Sequence, residues 1–395
     1  MESASSVARH FLGAFDERAL IAWAKDLRAE LRANEVSLGL LFLTPSLFAD
    51  AEQILEILRV HAQIPRLLGC SSTGLIAGEA EFEDVSGLAL GLYHLPGAEL
   101  KPFRFTAEQL DEAQGPSYWR LETGVEPVQT RGWLAFLDPF HLDADAWLQA
   151  WNETYPAVPL LGGLSSGHFA ENRTQLYLDG KVFEAGGVAL SIGGDVKLVG
   201  AVSQGCTPVG ETWTVTKVEQ NLIHQIGNRP AYEVLVETFH SMAKEEQEQS
   251  RGNLFVGLVV NEYLHQFQRG DFLIRNLLGA DPQSGAIAVG AFPRAGQTLQ
   301  FQRRDASAAS EDLSSILHHA KKNLGKQPIY GGCLFCCNGR GAGLFHRSSH
   351  DASLVQQTLG PLGLTGFFCN GEIGPVGERN FLHGYTASLG LFVKQ

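Results

Sequence analysis

The fold of this 395-residue chain is indicated by a short stretch that occurs twice, PRLLGCSSTG at 65–74 and PLLGGLSSG at 159–167. Each copy follows a strand-like apolar run and a helical pattern, and each precedes a second apolar run, at 86–95 and 186–194. Alternation of buried strands and amphipathic helices is typical of α/β architecture. The recurrence predicts one supersecondary unit used twice, as a pseudo-symmetric pair of lobes.

Outward from these copies, the C-terminal part shows another recurrence. YGGCLFCCNGRGAG (330–343) and LTGFFCNGEIGPVG (364–377) each run from a strand into a glycine-rich turn, with a helix predicted at 351–359 between them. We interpret them as one unit used twice. The predicted fold class is α/β to α+β, with two domains of mixed β-sheets flanked by helices and internal pseudo-symmetric repeats.

The predicted domain organisation has three parts. Residues 1–35 form an N-terminal helix, 36–228 a first domain with internal repeats at about 36–130 and 131–228, and 229–395 a second domain. The boundary is placed at Asn228-Arg229-Pro230, just before a predicted helix that begins at Ala231.

Composition restricts the partners. The net charge is −13, and no basic run exceeds two residues, which counts against a nucleic-acid partner. The N-terminus lacks the pattern of a secretory signal, and no apolar stretch is long enough for a membrane helix. The six cysteines are then expected to be reduced thiols, which predicts a cytoplasmic protein with no membrane partner.

Two motifs give the chain a specific resemblance. CCNGRG (336–341) and GFFCNGEIGP (366–375), taken with 65–74 and with IRNLLG (274–279), resemble the FIST family over roughly 36–392. The resemblance implies a sensory module for small ligands such as amino acids or their derivatives. No F-box or output domain is expected within this sequence, so the signal is expected to pass to a protein partner.

Arg340 and Glu372 are the sharpest site candidates, because each lies in a glycine-rich turn of these motifs. The arginine fork fits a carboxylate at two points, and the glutamate suits an ammonium group. Together they predict a site for an amino acid or an organic acid. The alternative is that the two residues pair with each other and hold the two loops together.

The turn Cys70-Ser71-Ser72-Thr73 presents hydroxyl and backbone N–H groups that can bind an anion. Serine and glycine also occupy turns for purely conformational reasons. The first copy is favoured slightly over the second. The remaining ligand-binding candidates are Arg275, Asn276, Cys336 and Asn370.

A structural zinc site is suggested by the clustered cysteines Cys333, Cys336, Cys337 and Cys369. Because such sites normally have a second paired set, we expect buried thiols, no metal and no cofactor. A cation beside Cys336 or Cys337 would lower a thiol pKa, which keeps a cysteine- or serine-dependent transferase or hydrolase as an alternative. A protein-interaction platform is the third hypothesis. The leading one is a sensory protein that binds a small metabolite.

Overall fold

One order of elements recurs three times along the chain: a strand, one or more helices, a strand, one or more helices, a strand, a hairpin and a last strand. The computed structural model describes residues 5–395. The first and second repeats are continuous, whereas the third is interrupted by an inserted segment.

The bounds of the elements are as follows. The first repeat comprises β1 (Ser6–Leu12), α1 (Glu17–Glu30), β2 (Leu38–Leu43), α2 (Ala51–His61), β3 (Leu67–Ser71), β4 (Gly74–Ala77), β5 (Ala80–Glu83) and β6 (Gly87–Tyr93). The second comprises β7 (Ala98–Phe105), α3 (Ala107–Glu112), α4 (Pro116–Thr123), β8 (Thr130–Leu137), α5 (Ala144–Thr154), β9 (Leu160–Leu164), β10 (Leu176–Leu178), β11 (Lys181–Phe183) and β12 (Gly187–Gly194). The third opens with β13 (Val196–Gln204).

The inserted segment then contains β14 (Cys206–Glu219), β15 (Leu222–Ile226), β16 (Arg229–Pro230), α6 (Ala231–Ser241), α7 (Lys244–Ser250), β17 (Leu254–Val259), β18 (Phe272–Asp281), β19 (Ala286–Val289) and β20 (Thr298–Arg304). The third repeat resumes with α8 (Ala306–Leu324), β21 (Ile329–Cys337), α9 (Ala342–Phe345), α10 (His350–Leu359), β22 (Leu364–Cys369), β23 (Glu372–Val376), β24 (Arg379–His383) and β25 (Thr386–Lys394).

Three six-stranded sheets share one strand order, β1-β6-β2-β3-β10-β11, β7-β12-β8-β9-β23-β24 and β13-β25-β21-β22-β4-β5. The pairs β2–β3, β8–β9 and β21–β22 are parallel, and each is joined by a helical crossover. The last two strands of every sheet are a hairpin from a different repeat. The first repeat lends its hairpin to the third, the second to the first, and the third to the second, which closes a cycle.

Polar side chains fix two of these exchanged hairpins in register. Asp179, at the tip of the β10–β11 hairpin, accepts a hydrogen bond from the backbone N–H of Leu67 at 2.9 Å. Asn380 of β24 accepts one from the N–H of Leu160 at 2.8 Å. Leu67 and Leu160 are the first residues of β3 and β9, so both contacts lie at the same point of the repeat.

The parallel strands are buried on both faces, as their continuous apolar sequences predict. Phe42, Phe136 and Phe335 occupy equivalent positions in β2, β8 and β21 and are fully buried. Their ring centroids lie 5.4, 5.6 and 6.4 Å apart in mostly edge-to-face arrangements. The three sheets therefore share one aromatic core.

Each repeat also places a glycine where two strands approach closely. A Cβ atom at Gly69 would lie 1.8 Å from the carbonyl oxygen of Leu41, and one at Gly366 would lie 1.7 Å from that of Leu334. A Cβ atom at Gly162 would lie 1.8 Å from the carbonyl oxygen of Ala135. Since no side chain fits at these distances, glycine is required at this point of every repeat.

The chain divides into two compact units. The first consists of residues 1–202, 313–382 and 386–395, and the second of residues 203–312 and 383–385. In the second unit, β14, β20, β17, β18, β19 and β15 pair in succession, and β14 also pairs with β15, so these strands form a closed ring. Its core comprises twelve buried apolar residues, with Val256, Ile287 and Phe301 fully covered.

The predicted fold class is confirmed, because mixed sheets flanked by helices carry internal repeats. The interpretation of 330–343 and 364–377 as two copies of one unit is wrong. They are β21 and β22, the first and second parallel strands of a single third repeat. The division into domains at 228/229 stays a prediction, and the compact units follow different bounds.

Candidate functional site

The second parallel strands of the three repeats, β3, β9 and β22, end next to one another, and they are followed by Thr73, Ser166 and Asn370. The backbone N–H of Ser166 donates to the carbonyl of Ser71 at 3.2 Å, and the N–H of Asn370 donates to the carbonyl of Leu164 at 3.1 Å. These are the same contact between successive repeats. We call the residues that meet here, Ser71–Thr73, Ser165–Ser166, Asn338 and Asn370, the strand-end cluster.

The third junction of this cluster differs, because a hydroxyl group is inserted in it. Ser166 Oγ accepts a hydrogen bond from the backbone N–H of Thr73 at 2.9 Å and donates one to the carbonyl of Phe368 at 2.7 Å. One side-chain oxygen thus bridges the strand ends of the first and third repeats. Two of the three junctions are therefore direct backbone hydrogen bonds, and at the third junction the Ser166 hydroxyl group lies between the two backbone groups.

Side chains of the cluster form a second, continuous chain of hydrogen bonds. Thr73 Oγ1 donates to Asn338 Oδ1 at 3.1 Å, Asn338 Nδ2 to Asn370 Oδ1 at 2.7 Å, and Asn370 Nδ2 to the carbonyl of Ser165 at 3.0 Å. Asn338 is exposed, and Thr73 and Asn370 are partly exposed. The cluster therefore offers uncharged donors and acceptors from the first and third repeats to the solvent side, whereas Ser165 and Ser166 of the second repeat are buried.

Of the first-copy candidates, the structure brings Ser71, Ser72 and Thr73 into this cluster with Asn370. Ser71 Oγ donates to the carbonyl of Ser166 at 2.8 Å, and both Ser71 and Ser72 are buried. Cys70 faces the core instead, and its burial raises the pKa of the thiol well above its ordinary value.

Arg340 is fully buried and forms a two-point ion pair with Asp351. Its Nε lies 2.6 Å from Oδ2 and its Nη2 lies 3.0 Å from Oδ1. His350 Nδ1 contacts Oδ1 of the same carboxylate at 2.8 Å, and its ring stacks on Phe345. Burial alone would raise the pKa of Asp351, but the charge of Arg340 and these hydrogen bonds hold it below its ordinary value. The ion pair predicted as an alternative thus has Asp351, not Glu372, as the carboxylate.

Glu372 and Glu81 are two further buried carboxyl groups near Arg340. Burial raises the pKa of Glu372 to about 8, although Thr386 donates to its Oε2 from both its N–H and its hydroxyl group. Burial and the charge of Asp351 raise the pKa of Glu81 to about 7. Glu81 caps helix α10 from another repeat by accepting from the N–H of Ala352 at 2.6 Å. Folding therefore favours the protonated form of both glutamates.

The expectation that a cation lowers the pKa of Cys336 is wrong. This thiol is fully buried, and burial followed by the charge of Asp351 raises its pKa well above the ordinary value. Its Sγ lies 3.6 Å from Asp351 Oδ2. Cys333 and Cys369 are also buried, with raised pKa values.

Arg275 and Asn276 belong to β18 in the second unit. Arg275 Nη1 donates to the carbonyl of Ile274 at 3.0 Å, and Asn276 Oδ1 accepts from the hydroxyl group of Tyr385. Their role in ligand binding stays a prediction, as it does for the other candidates.

Sequence reasoning missed Ser165, Ser166 and Asn338 as site residues. Ser165 and Ser166 stand in the second copy of the quoted stretch, and Asn338 stands in the CCNGRG motif. The signal was therefore present, but only the pairing of strands shows that the copies meet. Asp351 lies in none of the motifs found in the sequence.

Among residues 5–395, no three His, Cys, Asp or Glu side chains are grouped so that they could hold a metal ion. Over the same residues, no helix has the length and apolar character needed to cross a membrane.

The fold and the cluster define a class of protein with three interlocked α/β repeats that join their strand ends in one polar site. The chain belongs to the FIST family, whose domains are sensory domains of signal-transduction proteins. The FIST N domain matches residues 37–229 and the FIST C domain matches residues 231–375.

Relatives and solved structures agree in length with this chain. An uncharacterized protein of Mycobacterium tuberculosis (strain H37Rv) is 38% identical over 378 residues, covering 95% of this chain and 96% of the relative. One of Mycobacterium bovis is 35% identical over 378 residues, covering 95% of each. A cyanuric acid hydrolase structure aligns over 99% of this chain and 100% of its own, with 8% identity and a TM-score of 0.39. Another, from A. caulinodans, aligns over 99% of each chain, with 9% identity and a TM-score of 0.37.

Proposed function

We propose that this protein is a cytoplasmic sensory module that binds a small metabolite with a carboxylate or amino-acid-like group at the strand-end cluster, and that it signals through a protein partner. The observation that carries the proposal is the bridge made by Ser166. It links two repeats through a single hydroxyl group where the other junctions have direct backbone contacts. A ligand bound here contacts the accessible side chains of the first and third repeats, which the buried Ser166 hydroxyl group bridges.

The chemistry of the cluster suits such a ligand. Hydroxyl and carboxamide groups both donate and accept, so they can bind a carboxylate and an amine without a fixed charge. Thr73, Asn338 and Asn370 bond one another in a row that a ligand can enter by replacing one internal hydrogen bond. Because the exchange keeps every polar group paired, its cost is small.

Two buried polar atoms, each two residues beyond one of the two asparagines, extend this argument. Arg340 Nη1 and Glu372 Oε1 are buried and have no hydrogen-bond partner among the described residues. Buried polar atoms without partners are rare and are expected to meet water or a ligand. Arg340 Nη1 is a donor, and a protonated Glu372 can donate from Oε1, so both can bind the carboxylate oxygens of the ligand.

A signal follows if the ligand changes the spacing between repeats. The hairpin of each repeat lies in the sheet of another, so a shift at one strand end is passed to a neighbouring sheet. A ligand moves this equilibrium only by binding one spacing better than the other. The partner is proposed to recognise the spacing that the ligand favours.

Thermal denaturation with a panel of amino acids and organic acids tests the proposal. At least one compound should raise the melting temperature in a concentration-dependent way. Asn370→Ala and Thr73→Val should remove this increase, whereas Asn34→Ala, at an exposed site, should keep it. Stabilisation that survives both cluster variants would place the ligand elsewhere, and no stabilisation by any compound would count against the function.

A further inference from the structure

A second cleft, of about 530 Å³, lies in the second repeat and is separate from the strand-end cluster. It is lined by Arg104, His141, Glu171, Asn172, Arg173, Phe183, Glu184 and Ala185. Its volume lies in the range of small-molecule sites, about 300–1,000 Å³. All of its lining residues come from β7, from the loop after β8 and from segments next to β10 and β11, so one repeat builds it.

The wall formed by His141 is held by a buried carboxylate. Asp138 is fully buried, and its Oδ2 lies 2.7 Å from His141 Nδ1 and accepts from the His141 N–H at 2.9 Å. Its Oδ1 accepts from the hydroxyl group of Thr174 at 2.9 Å and from the N–H of Phe140 at 3.3 Å. The carboxylate is thus well supplied with donors and fixes the plane of the imidazole.

This contact decides what His141 presents to the cleft. Because Nδ1 faces Asp138, Nε2 is the ring nitrogen available to a ligand. The His141 side chain is 54% exposed while that of Asp138 is not exposed at all. The buried Asp138 carboxylate therefore orients the half-exposed imidazole ring of His141.

Arg104 contributes a positive charge to the lining of the cleft. Its guanidinium lies over the ring of Phe183, 4.4 Å from the centroid, and its buried Nε has no hydrogen-bond acceptor among the described residues. Arg173 differs, because its Nε and Nη2 both donate to Glu184 Oε1, at 3.0 and 2.6 Å. Glu171 is the remaining charged side chain of the lining and is exposed. Arg104 is therefore the cation whose charge the lining leaves for a ligand.

The segment that carries Glu171 and Asn172 is closed on itself. The backbone N–H groups of His168 and Arg173 each donate to the other residue's carbonyl, at 3.1 and 3.2 Å. The cleft thus has a preformed wall, and binding need not order it first.

We propose that this cleft is a second ligand site, which binds the carboxylate or phosphate oxygens of a small anionic metabolite between Arg104 and the Nε2 of His141. The guanidinium supplies a planar pair of donors, and the imidazole, when protonated at both ring nitrogens, donates a third hydrogen bond from Nε2. The site shares no lining residue with the strand-end cluster.

Imidazole NMR resonances of the full chain, titrated separately with inorganic phosphate and with acetate, test this site. The His141 signal, assigned by its loss in His141→Gln, should shift with saturation for at least one of the two anions. Arg104→Gln should raise the half-saturating concentration at least tenfold. Arg104→Lys, which keeps the charge, should raise it less, and Arg131→Gln, at an exposed site on β8, should leave it unchanged.

Other outcomes would overturn the proposal. These are an equal shift of the exposed His318, a linear response without saturation, or an equal effect of Arg104→Gln and Arg131→Gln. Asn370→Ala should leave the His141 titration unchanged, so failure of this site and failure of the strand-end site are read separately. The melting temperature of each variant shows whether it is folded.

Discussion

Arg340 and Asp351 form a fully buried ion pair in which two guanidinium nitrogens meet the two carboxylate oxygens at 2.6 and 3.0 Å. The arginine follows β21 and the aspartate lies in the first turn of α10, where a negative charge is favourable. The pair therefore joins the strand end that carries Asn338 to the helix that crosses to β22. It also explains why Arg340, a strong ligand candidate in the sequence, lies inside the protein.

Asp351→Asn should destabilise the fold strongly. The substitution leaves Arg340 as a buried charge without its counter-ion, which typically costs about 3–5 kcal/mol. Urea denaturation at neutral pH measures the loss. Asp111→Asn, at an exposed site on α3, should change the free energy of unfolding by less than about 0.5 kcal/mol. Equal effects of the two variants would show that Arg340 is not compensated by Asp351.

Stability should fall as pH rises because of Glu372. Its pKa is about 4.5 in the unfolded chain and about 8 in the folded one, so the folded state binds more protons between these values. The contribution of protonated Glu372 is fully present below about pH 4.5 and is lost as pH rises through 8.

The free energy of unfolding of Glu372→Gln, relative to that of the native protein, should therefore rise by on the order of a few kcal/mol between pH 5 and pH 9. Urea denaturation of both proteins across this range measures the effect. Glu378→Gln, at an exposed site in the same hairpin, should follow the native pH profile. A parallel profile for Glu372→Gln would contradict the raised pKa.

Asn380→Ala should weaken the exchange of hairpins between the third and second repeats. The Asn380 side chain accepts from the N–H of Leu160 and donates to the carbonyl of Val158 at 2.9 Å. Truncation leaves the buried N–H of Leu160 without this acceptor, at about 1–3 kcal/mol. Hydrogen exchange should accelerate at the Leu160 amide, while Asn34→Ala, at an exposed position, should leave it protected.

Much of the fold could be predicted from local pattern. The strand at 36–44, the helix at 50–61 and the turn at 65–74 follow from apolar runs and turn residues, because those signals are local. The third repeat could not be recognised as such. Its β13 and α8 are separated by about a hundred residues of the second unit, so no fixed period connects it to the other two.

The site was predictable where the two copies matched and, for Asn370, from the motif at 366–375. Ser71, Ser72 and Thr73 were found because they stand in a repeated stretch, but their meeting with Ser166 depends on three sheets closing in a cycle. Neither spacing nor composition contains that information. The burial of Arg340 depends on its ion pair with Asp351. Asp351 lies in helix α10, outside the glycine-rich turns, so no motif indicated it as the partner.

Gly366→Ala should prevent correct folding, and it is the sharpest test of the three-repeat interpretation. A Cβ at this position would lie 1.7 Å from the carbonyl oxygen of Leu334, a backbone atom that cannot move without breaking the parallel pair β21–β22. Gly69→Ala and Gly162→Ala should have the same effect, because each stands at the equivalent place in its repeat. Gly343→Ala, in α9 with no atom within 4 Å of the added Cβ, should be neutral or slightly stabilising. Yields of folded protein and circular dichroism separate these outcomes, and a normal fold in any of the three strand variants would show that the repeats are not equivalent.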